Sequence, residues 1–371
     1  MVSTRAALLF GPGQDYKIET IEVDEPRAGE VLIELRAAGL CHSDEHARTG
    51  DMPMPHYPIV CGHEGAGEVV AVGPGVTTVA PGDHVAMSFI PSCGHCQPCR
   101  AGRAYLCDEG AKLFDVGAIT DGRVAHRYGD EPVARYAQLG AFSEFQLVGE
   151  ASVIKVDRDI PWTAVALVSC GVATGFGSAV NRGEVHPGDT VAVVGIGGVG
   201  INAVQGARIA GASRIIAVDP VPFKREQALR FGATHAYSSL DEAAGEVAGL
   251  TAGAMCDVVV CTVGVMHGSL LEPMLRLTAK GGTCVITSVA PIVEEKADLN
   301  LFMLAMLNKQ LRGCVFGSAS PRTQIPRLLD LYRAGTLKID ELVTRTYSLD
   351  QVNAGYTDLE AGRLLRGAII F

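Results

Sequence analysis

The chain has 371 residues, 48% hydrophobic and 19% charged, with a formal net charge of −10. That length is more than one hydrophobic core usually serves and predicts two domains, and the acidic balance excludes the basic surfaces that nucleic acid or an anionic membrane would require. The opening MVSTRAALLF has too short an apolar run, and no cleavage pattern, for a secretory signal, so the chain is expected to be cytoplasmic, where clustered cysteines favour metal over disulfide.

Residues 1 to about 160 read as β-rich, with EVLIELRA, GEVVAVG, DHVAMSFI and FSEFQLVG separated by Gly, Pro and Asp turns. The stretch from Trp162 to Val180 carries no charge and has nearly the length of a membrane span. Gly171, Gly175 and Gly177 are expected to interrupt it as a helix, and no span is assigned. From about 190 the pattern alternates: TVAVVG as a strand, GVGINAVQGARIAG as a helix, RIIAVD as a strand, and PFKREQALRFG as a helix with Pro222 in its first turn and Gly232 at its stop. CDVVVCTVG, an EPMLRLTAKGG helix and TCVITSV continue the alternation, which implies a parallel sheet covered on both faces. PRLLDLYRAG reads as a helix and GAIIF as a closing strand. Boundaries near 171 and 316 divide a β-rich domain (1–171), an α/β domain (172–315) and a tail (316–371) expected to return to the first domain.

Gly195-Ile196-Gly197-Gly198-Val199-Gly200 matches GxGxxG directly after a strand and at the opening of a helix. The glycines permit a tight turn and let backbone N–H groups approach a pyrophosphate at the positive end of the helix. Asp219 ends the next strand, where its carboxylate would accept from the adenosine ribose hydroxyls and repel a 2′-phosphate. The expected cofactor is therefore NAD.

Cys93, Cys96, Cys99 and Cys107 follow C-x2-C-x2-C-x7-C. Four thiolates close a tetrahedral zinc site and leave no open position. An iron–sulfur cluster is the rival, but its spacing continues with a short gap and a proline, whereas seven residues and then Asp108 stand here. His95 reads as a solvated loop residue. A second, dispersed set lies in Cys41-His42-Ser43-Asp44-Glu45-His46, Gly62-His63-Glu64-Gly65 and Ser169-Cys170-Gly171. Three N/S ligands plus one open position make a catalytic zinc site, though on spacing alone a lone Cys170 is more often a packed core residue than a ligand. Cys61, Cys256, Cys261, Cys284 and Cys314 are expected in the core.

With CHSDEH, GHEGAG, the four-cysteine lobe, SCGVATG and GIGGVG in this order, the chain resembles the zinc-dependent medium-chain alcohol dehydrogenases along essentially its whole length. The resemblance implies an α/β protein with a GroES-like β-rich catalytic domain and a Rossmann doubly wound parallel-sheet domain. It implies two zinc ions per chain, one catalytic on Cys41, His63 and Cys170 and one structural on the four clustered cysteines. Glu64 matches the family's carboxylate near the metal, and Asp44 its acceptor behind the His63 ring. Ser43 and His46 match the two ends of a proton relay that passes the cofactor ribose. His42, Thr174, Val199, Lys224 and Arg366 match cofactor contacts, and Met52, Phe89 and Phe142 align with pocket-lining positions, for which a plain core role is the competing reading. The implied reaction takes a small-molecule alcohol to its aldehyde or ketone.

GQDY, HSDEHARTGD, CGHEGAG and SFIPSCGHC are most similar to the actinobacterial nicotinoprotein alcohol dehydrogenases. That subgroup implies a permanently held NAD, re-oxidised in place by an external redox carrier or a nitrosoaniline dye. Pro220 and Pro222, just after Asp219, depart from the general pattern. The competing readings are a glutathione-linked formaldehyde dehydrogenase, for which Arg103, Lys112 and Arg123 are the candidate basic residues, a polyol dehydrogenase, a zinc-free quinone reductase relative, and a zinc-ribbon binding module with a vestigial nucleotide fold. The long interval between Cys107 and Phe142 is shared with dimeric relatives, so a homo-oligomer, in particular a dimer, is expected.

Overall fold

The computed structural model describes residues 1–118, 120–294 and 296–371. They divide into two compact units, Met1–Cys170 with Ala319–Gly335 and Ile339–Phe371, and Gly171–Ser318 with Thr336–Lys338. The tail expected as one block from 316 is thus split, because the Gln205 side chain takes up both backbone groups of Lys338 at 2.9 Å and holds that short stretch in the second unit.

The first unit is built on two sheets. Val2–Leu9, Lys17–Val23, His126–Tyr128, Glu131–Pro132, Ile59–Val60 and Ala134–Arg135 form one. The other is centred on Glu30–Leu40, which pairs antiparallel with Gly65–Val72, Phe145–Gly149 and Arg366–Ile370. Nearly every residue of Glu30–Leu40 is buried, as expected of a strand covered on both faces. Register positions the chemistry: Ala38 lies opposite Gly65, and Leu40 opposite Gly367. Cys41, just after one strand, Glu64, just before the second, and Arg366, opening the third, therefore meet at one end of the sheet.

The second unit is a six-stranded sheet paired in parallel throughout, in the order His235–Tyr237, Arg214–Val218, Thr190–Val194, Cys256–Cys261, Thr278–Ile286 and Gln310–Gly313. Its central strands are runs of buried Val, Ile and Ala. The Pro222–Phe231 helix begins at its proline and ends at Gly232, whose φ of 117° is a left-handed value that glycine tolerates best. Two expectations are corrected here. The EPMLRLTAKGG helix stops at Leu277, and Thr278–Ile286 is strand, since a β-branched residue and two adjacent glycines are poor helix formers. Trp162–Arg182 is one continuous helix with five-residue π-helical stretches at Val168–Val172 and Ser178–Arg182. Its glycines do not break it: a Cβ on Gly175 would overlap the Val199 carbonyl, and one on Gly177 the Gly317 carbonyl. Close backbone packing outweighs the propensity cost of about 1 kcal/mol per glycine. This helix is long and apolar enough to cross a membrane, but 89% of its apolar window is buried within the protein.

Candidate active site and metal centres

Cys41 stands at the N-terminal boundary of the His42–Thr49 helix with extended backbone. His63 and Glu64 follow Gly62, whose φ is 92°, and Cys170 sits in the first π-helical stretch of Trp162–Arg182. The ligand atoms of Cys41, His63, Glu64 and Cys170 all lie within 4.8 Å of one another, and all four residues are buried. Asp44 fixes the histidine: its Oδ1 accepts the Gly62 N–H at 2.8 Å and its Oδ2 lies 2.9 Å from His63 Nδ1. That leaves Nε2 as the metal-facing nitrogen, the support that ligating imidazoles need. Burial disfavours charge on His63, yet Asp44 and Cys41 push its pKa well above the ordinary imidazole value. Contact with Cys170 holds the Cys41 thiol well below its ordinary value and pushes Cys170 well above, so the two sulfurs compete for one proton. Two buried sulfurs and one imidazole held by a carboxylate form a donor set that suits zinc.

Glu64 is wholly buried and paired to the Arg366 guanidinium. Burial pushes its carboxyl up to about 7 against the opposing pull of Arg366. Room for the pair comes from Gly39, where a Cβ would overlap Glu64 Oε2 and come within 3.0 Å of Arg366 Nη2. Arg366, expected among the cofactor contacts, is thus held against the carboxylate of the metal centre.

In the second cluster Cys93 and Cys99 are 3.9 Å apart at sulfur, as are Cys96 and Cys107. A tetrahedron with zinc–sulfur bonds of about 2.3 Å requires sulfurs about 3.8 Å apart, while a disulfide requires about 2.05 Å. The spacing fits a closed zinc site. His95 is exposed with Nδ1 against the Cys93 carbonyl, outside the ligand set. All eleven cysteines are free of disulfides.

Ser43 Oγ lies 3.8 Å from Cys41 Sγ. His46 is buried three residues along the helix, its Nδ1 3.3 Å from Asp51 Oδ2. Asp51, not singled out from the sequence, also accepts from Thr49 Oγ1 at 2.9 Å. Phe89 meets the His63 ring edge-on with centroids 5.5 Å apart. Met52 is half-buried against the core, its N–H bonded to the His46 carbonyl. Phe142 is corrected to a core residue: it is fully buried, packed edge-on against Tyr16 and Tyr356, and pressed on Gly62. His42 is half-buried at the start of its helix.

In the second unit Gly195 has φ of 90°, and an added Cβ there would meet the Val263 backbone. A Cβ on Gly200 would overlap the Gly195 carbonyl, whereas Gly197 faces open space, with nothing within 4 Å. The Asp219 carboxylate accepts from Ile196 N–H at 2.8 Å and Val221 N–H at 2.9 Å. It thereby locks the glycine turn. Thr262, which the sequence did not flag, donates to the Gly195 carbonyl at 2.6 Å. Thr174 Oγ1 is buried with no partner among the described residues, and Lys224 is half-buried on the helix after Asp219. An open glycine cradle at a helix start, an acidic strand end and an orphaned hydroxyl fit a dinucleotide.

A zinc-type donor set in a β-rich unit, joined to a dinucleotide-binding parallel sheet, defines a metal-dependent, NAD-linked dehydrogenase. Residues 27–158 match the alcohol dehydrogenase GroES-like domain, and residues 198–334 the zinc-binding dehydrogenase domain. The chain is 50% identical over 369 residues to an NDMA-dependent alcohol dehydrogenase of Amycolatopsis methanolica, covering 100% of this chain and 99% of that one. It is 47% identical over 368 residues to alcohol dehydrogenase B of Mycobacterium tuberculosis, covering 99% and 98%. A solved alcohol dehydrogenase zinc-binding domain protein of Burkholderia ambifaria superimposes with a TM-score of 0.93 at 35% identity, covering 100% and 99%. The chain belongs to the zinc-dependent medium-chain alcohol dehydrogenases and is an oxidoreductase of that family.

Proposed function

We propose that the chain oxidises a primary or secondary alcohol with an NAD that it retains through turnover, as a nicotinoprotein, and passes the electrons to an external carrier. The observation that carries the alcohol chemistry is the buried Cys41, His63 and Cys170 set, with Asp44 behind the imidazole and a carboxylate drawn off by Arg366. When bound, zinc supplies a Lewis acid for the alcohol oxygen and NAD the acceptor for its hydride. Cys41, His63 and Cys170 hold the metal, and Asp44 keeps the His63 ring in its ligating orientation. The Ser43 hydroxyl, beside the Cys41 sulfur, takes the alcohol's proton as it gives up its own, and His46, backed by Asp51, is the terminal base of that relay. The four-cysteine lobe braces its loop and has no chemistry of its own. In the second unit Thr174, Gly195–Gly200, Asp219 and Lys224 hold NAD.

Retention of the cofactor is supported by the half-identity to an enzyme whose name declares dependence on NDMA. A glutathione-linked reaction is disfavoured because two of its three candidate basic residues are already occupied. Lys112 is paired with Glu109, and Arg123 with Asp24 and Glu30. A dimer is supported by the segment around the edge strand Gln310–Gly313. Val289, Ile292, Val293, Leu301, Phe302, Met306 and Leu311 are exposed there, Val293 at 82% and Phe302 at 69%. Exposed large apolar side chains of this number are what a subunit interface would cover. Disulfide-free cysteines support a cytoplasmic setting.

The test is to gel-filter the protein exhaustively, denature it and assay the nicotinamide released. Near-stoichiometric NAD(H), with turnover of an alcohol against a nitrosoaniline dye, is the expected result. Cofactor-free protein that needs added NAD at every turnover overturns the retention and leaves the zinc chemistry standing.

A further inference from the structure

One buried segment of the first unit touches both metal centres' surroundings. Arg135 lies at the end of a short strand, and the next three residues turn sharply: Ala137 and Gln138 have φ of 53° and 59°. Such left-handed backbone is costly for residues other than glycine and persists where surrounding contacts enforce it. The contacts are visible. Gln138 is buried, and its amide Nε2 donates to three backbone carbonyls, Lys112 at 3.2 Å, Asp115 at 2.6 Å and Gly117 at 3.0 Å. These carbonyls belong to the stretch that leaves the four-cysteine lobe after Cys107. Gln138 Oε1 accepts from Arg135 Nη2 at 2.6 Å, and Arg135 Nη1 donates to the Leu147 carbonyl at 2.9 Å.

Two residues earlier, Tyr136 points at the other centre. Its hydroxyl donates to the Ser43 carbonyl at 3.0 Å, and its ring packs 5.6 Å from the His63 ring at 49°. Phe114, from the same stretch that Gln138 grips, packs edge-on against the Tyr136 ring with centroids 5.6 Å apart. Burial pushes the Tyr136 hydroxyl pKa well above its ordinary value, so it stays a neutral donor at every working pH. It acts through the Ser43 backbone and the His63 ring face.

We propose that Tyr136 is a positioning residue for the catalytic centre, fixing Ser43 and His63, and that Gln138 ties it to the four-cysteine lobe so that the structural zinc lobe sets catalytic geometry. This rests on the assignment of Cys41, His63 and Cys170 as the catalytic zinc site. The lobe then has a mechanical role beyond bracing its own loop: it anchors the strained turn from which Tyr136 projects.

The experiment uses the full-length protein with cobalt(II) exchanged into the catalytic site, and reads the thiolate-to-cobalt absorption alongside steady-state kinetics. Tyr136→Phe removes one hydroxyl with almost no change of shape. It should lower kcat about fivefold, the effect of one neutral hydrogen bond of about 1 kcal/mol, leave KM nearly unchanged, and shift or broaden the cobalt bands. Gln138→Met should move the bands in the same direction, and the double variant should fall well short of the sum of the two. Glu109→Gln, which alters the same loop at an exposed ion pair with Lys112, should leave the spectrum as it is. Unaltered bands and kcat in Tyr136→Phe, in a protein whose Ser43→Ala variant is impaired, overturn the positioning role. Additive effects of the two substitutions overturn the tie through Gln138. An unimpaired Ser43→Ala variant instead indicts the catalytic assignment on which the inference stands.

Discussion

Replacing Arg366 by methionine would leave the Glu64 carboxyl buried at the metal centre with its countercharge gone. Glu64 is wholly buried and the Arg366 side chain is 4% exposed, so solvent cannot compensate either charge. Removing one partner of such a pair costs about 3–5 kcal/mol. For a domain of this size each kcal/mol moves Tm by about 2–4 °C, which places the Arg366→Met transition roughly 6–20 °C below that of the parent. Glu64→Gln should cost less, because the amide oxygen still accepts from the guanidinium, although a charge remains unpaired. The double variant Glu64→Gln with Arg366→Met should recover part of the loss, since an apolar chain then faces a neutral amide. Differential scanning calorimetry of the zinc-loaded protein, with urea midpoints at constant m, closes the double-mutant cycle. Losses under 1 kcal/mol in the Arg366→Met variant, or strict additivity in the cycle, would refute the reading of this pair as a desolvated, mutually dependent unit.

Three further expectations concern separate parts of the chain. Burial, aided by the Arg135 guanidinium, holds the His126 pKa well below the ordinary imidazole value, so the folded chain keeps it neutral while the unfolded chain binds a proton below about pH 6.5. Its contribution is complete above that pH and is lost on acidification at up to about 1.4 kcal/mol per unit; urea midpoints at pH 7 and pH 5 should converge for His126→Asn, and equal acid sensitivity in both proteins would contradict this. In Gly175→Ala the new methyl would overlap the Val199 carbonyl at the glycine loop, so NAD retention should weaken at least about tenfold, or roughly 1.4 kcal/mol, and undiminished bound nicotinamide after gel filtration would count against it. Ser43→Ala should lower kcat by about two to four orders of magnitude, the usual scale of general acid–base assistance, and unchanged turnover across pH would remove Ser43 from the relay.

What could be read from the residues follows the distance over which each feature is determined. The glycine turn with Asp219 and the four-cysteine lobe are local, and each was recognisable because its chemistry dictates close spacing. Cys41, His63 and Cys170 are brought together by non-local packing, so only the resemblance to a family singled them out. Trp162–Arg182 was misjudged because glycine propensity is local, while the contacts that make Gly175 and Gly177 favourable, at Val199 and Gly317, lie far along the chain. The pairing of Arg366 with Glu64 depends on the register of Arg366–Ile370 against Glu30–Leu40, which no pattern in either strand reveals. Phe142 aligned with pocket positions yet faces Tyr16 and Tyr356; alternation marks a buried face without saying whether a core or a cleft lies beyond it. Tyr136 and Gln138 carried no signal, since most of their bonds go to backbone carbonyls.

The most direct test of the account is the metal content of purified protein set beside its alcohol oxidation. The parent should hold two zinc ions per chain, Cys93→Ser should lose the ion of the closed lobe, and Cys170→Ser should lose the catalytic ion together with essentially all turnover while its fold and second zinc persist. Full activity in a Cys170→Ser protein depleted of that ion would contradict the assignment of Cys41, His63 and Cys170 as the centre of the chemistry.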